Sequence, residues 1–103
     1  MATINLQTQQ TFPVGTTTTA TGTVPNGITN VSVMFVGTSI GGTCEIHIQT
    51  SDDQVTWIEK SVYVLNGTDG ESDGPIFGFK KYLRAVVIVT GGPATVTISA
   101  TLT

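Results

Sequence analysis

Between Thr43 and Thr50 the chain alternates without a break: Cys44, Ile46 and Ile48 point one way, and Glu45, His47 and Gln49 point the other. A period of two gives a strand one dry face and one wet face, as in an antiparallel sheet covered on one side. The same rhythm returns at Val31, Val33 and Phe35 against Ser32, Met34 and Val36, and at Val96, Ile98, Ala100 and Leu102 against Thr95, Thr97, Ser99 and Thr101. Helical periodicity is absent throughout. Turn signals such as Pro25-Asn26-Gly27 and Gly91-Gly92-Pro93 punctuate these stretches, because asparagine and glycine tolerate positive φ and proline cannot extend a ladder.

The resulting expectation is strands over Thr3–Thr8, Thr16–Val24, Asn30–Val36, Thr43–Thr50, Val55–Leu65, Ile76–Phe79, Lys81–Thr90 and Ala94–Thr103. Alternation slips near Glu59-Lys60, which predicts a bulge there, since one extra residue flips the faces. Asn66–Pro75 reads as an acidic, glycine-rich loop. About seven or eight short strands spaced by turns predict an all-β, antiparallel, jelly-roll-like β-sandwich. The length of 103 residues fits one domain. Residues 16–103 form the expected sandwich, and residues 1–15 an N-terminal arm or an edge strand.

The first residues show neither a basic stretch nor an apolar core of the signal-peptide kind. No apolar run reaches the ~18 residues of a membrane-spanning helix. The single cysteine, Cys44, excludes an intramolecular disulfide and suits a reducing cytosol. A net charge of −3 argues against nucleic acid as a partner. Charge placement says more than charge total. No side chain before Glu45 or after Arg84 is charged, and both flanks are rich in threonine. Threonine favours strands and can be covered by a partner at far less desolvation cost than a charge. Monomers usually guard their sheet edges with charges, so these flanks predict an oligomer or a permanent assembly.

Few residues could carry chemistry. His47 is the only histidine, and with Cys44 of opposite parity the two face away from each other. One of each is too few for a zinc site, and no nucleophile motif of the Gly-x-Ser-x-Gly type is present. Cys44, in line with Ile46 and Ile48, reads as a small core residue. Asp69-Gly70-Glu71-Ser72-Asp73-Gly74 imitates the start of a calcium loop, but its twelfth position is Lys80 where such a loop needs a bidentate glutamate. A solvated loop is the expectation. Trp57 reads as a core anchor, with sugar stacking as the alternative. Tyr63 and Tyr82 share that ambiguity. Lys80, Lys81 and Arg84 form a short basic cluster at a strand end, and Lys60 stands apart. These observations predict a protein that binds rather than catalyses: no enzyme, no cofactor and no metal.

Two segments are more specific: Gln49-Thr50-Ser51-Asp52-Asp53-Gln54-Val55-Thr56-Trp57, and Lys81-Tyr82-Leu83-Arg84-Ala85-Val86-Val87-Ile88-Val89-Thr90-Gly91-Gly92 before a last alternating strand. Together they resemble small β-sandwich virion structural proteins of tailed bacteriophages, of the head decoration or cement type. These carry an S-x-D-G-x-x-W turn and a Y-[LI]-R-[AV] strand. Gln54 departs from the pattern where it has glycine, and glutamine accepts positive φ less readily. The resemblance spans Val31 to Leu102. It implies a non-enzymatic homo-oligomer, commonly a trimer, that binds the major capsid protein or another virion protein on the capsid surface. Such proteins are assembled in the host bacterial cytoplasm, in some cases with an N-terminal arm across a neighbour. A tail-associated structural role and a discoidin-like carbohydrate-binding module are the alternatives, because a similar turn and strand occur in galactose-binding sandwiches.

Overall fold

The computed structural model describes residues 2–66 and 70–103. They form nine strands: β1 (Ala2–Phe12), β2 (Gly15–Thr18), β3 (Gly22–Thr23), β4 (Val31–Ile40), β5 (Thr43–Ser51), β6 (Ile58–Asn66), β7 (Gly70–Pro75), β8 (Tyr82–Thr90) and β9 (Ala94–Leu102). One antiparallel sheet has the order β1-β9-β4-β7. The other has the order β2-β8-β5-β6, with β3 also paired to β8. The two halves of the chain therefore pair strand for strand: β1 with β9, β2 and β3 with β8, β4 with β7, and β5 with β6. This is a long hairpin, bent at residues 52–57 and rolled into a two-sheet jelly roll.

The alternating residues meet between the sheets. Val33, Phe35, Cys44, Ile46, Ile48, Leu83, Ala85, Val87, Val96, Ile98 and Ala100 are fully buried. Phe35 packs against Tyr63 with ring centroids 4.5 Å apart and planes tilted by 48°, a favourable aromatic arrangement. β1 contributes Leu6 and Phe12 to this core, so residues 2–12 are an edge strand built into the sandwich.

β1 and β4 each run four residues beyond their expected ends at Thr8 and Val36, and three other segments differ from expectation. Gly70–Pro75 is a strand, not a loop, and Ile76–Phe79 is a turn, not a strand. The cause is β4, which offers its edge from Ser32 to Gly37 and pairs residue for residue with Pro75 to Gly70. Backbone pairing there overrides weak side-chain propensity, and Pro75 occupies a strand end where its missing N–H costs little. Asp69 lies outside the described residues.

Second, the strand expected over Thr16–Val24 is split. At the break, Thr19 N–H donates to Ala85 O (2.8 Å) and Thr19 Oγ1 accepts from Ala85 N–H (2.9 Å). The hydroxyl stands in for a backbone carbonyl and keeps the chain tied to β8 at Ala85, between its pairings with β2 and β3. β3 then opens on Gly22, where a Cβ would run into the Ile4 side chain of β1.

Third, β6 begins at Ile58 and not at Val55, which is 81% exposed in the turn. The predicted bulge is present: Ile48 pairs with Ser61 and Gln49 with Glu59, leaving Lys60 unpaired.

Candidate functional site

The rolled hairpin sorts the surface by charge. β1 and β9 come from the two ends of the chain, and β4 lies before Glu45, so none of the three carries a charged residue. They are adjacent in one sheet. Their outward side chains run in cross-strand rows: Thr3, Thr101 and Ser32, then Asn5, Ser99 and Met34, then Thr97 and Val36. Thr11 and Thr95 join their hydroxyls at 2.7 Å. Met34 is 45% exposed on β4, at the side of this face next to β7. Charge enters the sheet only with β7, through Glu71 and Asp73.

The opposite sheet presents a different surface. His47 Nδ1 lies 2.6 Å from Glu59 Oε1, and its Nε2 lies 3.6 Å from Glu45 Oε1. The second distance is too long for a hydrogen bond, so Nε2 is buried without a hydrogen-bond partner. Both ring nitrogens thus face carboxylates. Cys44 is on the inner face of the same strand, and burial pushes its thiol pKa up. His47 and Cys44 are therefore not brought together. Among the described residues no group of three His, Cys, Asp or Glu side chains converges as a metal site.

Trp57 is a surface residue, contrary to the expected core anchor. It is half-buried, and the Arg84 guanidinium lies 4.1 Å from its ring centroid. Arg84 also donates from Nε to Gln49 Oε1 (2.8 Å). A cation–π stack of this kind holds both side chains over β5 and covers one face of the ring. Lys80 pairs with Asp52 (3.2 Å), and Lys81 lies over the Tyr82 ring at 5.4 Å. The basic cluster is thus divided among separate partners.

The turn that carries Trp57 is built by its own side chains. Ser51 Oγ accepts from the N–H groups of Asp53 and Gln54 and donates to Asp53 Oδ1. The same carboxylate oxygen accepts from Val55 N–H and Thr56 N–H, both at 2.9 Å. Hydrogen bonds from Thr56, Val55 and Ser51, in that order, hold the Asp53 carboxyl below its usual range. Gln54 adopts φ of 62°, the left-handed geometry that glycine supplies in the related pattern.

Sequence reading missed the groove beside this end of the sandwich. Thr29, Asn30, Ser32, Ile76, Phe77 and Thr101 are among its walls, and its volume is about 230 Å³. Phe77 is 79% exposed at its edge. Its only advance signal was a phenylalanine beside two glycines and a proline.

The fold has known counterparts. XepA, a PBSX exported protein, superposes with a TM-score of 0.73 and 10% sequence identity over 98% of this chain and 36% of XepA. PirA superposes with a TM-score of 0.60 and 14% identity over 92% of this chain and 93% of PirA. This chain thus spans little more than a third of XepA. At these identities the likeness is one of fold. No family profile matches the chain, and no curated protein matches it in sequence.

Proposed function

We propose that the chain is a non-enzymatic, phage-related structural protein that decorates or cements an assembled head by laying its β1-β9-β4 face on the major capsid protein. The observation that carries this reading is that β1, β4 and β9, all drawn from the uncharged flanks, lie side by side in one sheet. Threonine, serine and amide groups can be covered without stranding a buried charge, and Met34 on β4 offers an exposed apolar anchor. Similarity in fold to a phage PBSX exported protein supports the phage context. The mechanism is mass action: a protein that binds only the assembled lattice stabilises that lattice.

The test is co-sedimentation with heads, comparing the wild-type chain with Thr97→Lys. Thr97 is half-buried among neighbours on the central strand of the face, and a lysine there would bring a charge into the interface. Binding by the wild type and loss of binding by a folded Thr97→Lys protein is the expected pair of results. Equal binding by both would discard this face.

A second reading, a saccharide-binding module, draws on exposed Phe77 beside Asn30, Ser32 and Thr101. Aromatic rings with convergent polar groups suit sugar rings. Chemical-shift changes at these residues on adding simple sugars would favour it, and unchanged spectra would remove it.

A further inference from the structure

The four sheet edges are not equally guarded. β1 shifts register twice along β9, between Asn5 and Gln7 and between Gln7 and Gln10. β2 and β3 are short pieces of four and two residues. β7 carries Glu71, Asp73, two glycines and Pro75. Bulges, brevity, charges and prolines are the devices that keep an edge from pairing with another chain. β6 is different. Past the Lys60 bulge, Ser61 to Asn66 runs in unbroken register along β5. The segment Ser61-Val62-Tyr63-Val64-Leu65-Asn66 has no charge, glycine or proline. Its outward residues Val62 and Val64 are 45% and 51% exposed, where a solitary edge strand would place lysine or glutamate.

From this we infer that β6 pairs with β6 of a second copy of the chain, antiparallel about a two-fold axis at Tyr63. Directly opposed residues must share a face, so the two-fold falls on a residue. Centring on Tyr63 sets Val62 against the partner's Val64, and Val64 against the partner's Val62. Both exposed valines then gain a β-branched cross-strand neighbour. Centring one residue earlier sets Val64 against bulged Lys60, and one residue later sets Val62 against Asn66. In the Tyr63 register Glu59 and Lys60 stay at the ends of the pairing, so no like charges face each other across it. The two five-stranded sheets become one sheet across the dimer, with an isologous, closed interface. β6 lies at the edge of the sheet opposite the proposed docking face, so the two inferences stand or fall separately.

Light scattering over a concentration series reads the result directly. The wild-type chain gives twice the 10.7 kDa monomer mass, and the doubly substituted Val62→Lys, Val64→Lys protein gives the monomer mass. Both positions are exposed, so circular dichroism is expected to match the wild type. A second variant fixes the register: Val62→Cys with Val64→Cys places each new thiol opposite its counterpart, within disulfide reach. It gives a covalent dimer on a non-reducing gel. Thr97→Lys leaves the dimer mass unchanged. A wild-type monomer at every concentration, an oligomer indifferent to the two lysines, or a cysteine variant that stays uncrosslinked while dimeric would each overturn the pairing.

Discussion

Gln54 is the residue at which local chemistry and backbone geometry disagree. An L-residue in the left-handed region costs roughly 1–2 kcal/mol, while glycine there loses about 0.5–1 kcal/mol through its freer unfolded chain. Gln54→Gly is therefore expected to stabilise the protein by up to about 1 kcal/mol, seen as a higher Tm. Gln54→Val should lower it, because β-branching is least tolerated at positive φ. Asp53 next door makes the turn sensitive to acid. Its pKa is depressed in the folded state, so its contribution is fully present above the unfolded carboxylate value of about 3.9 and is lost as pH falls through the lower folded value. Urea midpoints measured from pH 6 down to pH 3 should fall more steeply for the wild type than for Asp53→Ala. Parallel curves would show that the hydrogen-bonded carboxylate does not stabilise the fold. A turn here was legible from the resemblance of residues 49–57, but its left-handed form was not, because Gln54 stands where the pattern has glycine. Nor was the position of Trp57, since its cover is Arg84, which comes from β8.

At the scale of elements, long-range polar ties decide what alternation does not. Thr50 is fully buried, accepts from Lys80 N–H (2.7 Å) and donates to Tyr82 O (2.9 Å). Thr50→Val would strand both backbone groups and is expected to cost about 1–3 kcal/mol by urea unfolding. Phe35→Ala, which empties the contact with Tyr63, is expected to cost about 3–5 kcal/mol. A Thr50→Val protein as stable as wild type would mean that water replaces the hydroxyl. β4, β5 and β9 could be read from sequence because each carries its own alternation of dry and wet residues, and β8 because of its β-branched apolar run Ala85–Val89 between turn signals. β7 could not, because Gly-Glu-Ser-Asp-Gly-Pro has no strand propensity and owes its form to β4, some 40 residues earlier. Thr19 hid in the same way: its hydroxyl completes a ladder with Ala85, a partner that only the fold supplies.

For the whole molecule, the rolled hairpin turns a one-dimensional charge pattern into a two-faced object. Residues at the chain's two ends pair, so their lack of charge becomes a property of a surface. That surface was foreshadowed by the uncharged flanks, while its location on one sheet required the pairing of β1 with β9 and β9 with β4. The most direct measurement is the co-sedimentation of wild type and Thr97→Lys with assembled phage heads, at matched and verified folding. The wild type is expected to pellet with the heads and Thr97→Lys to stay in the supernatant. Pelleting of both proteins, or of neither, would overturn the proposed docking face.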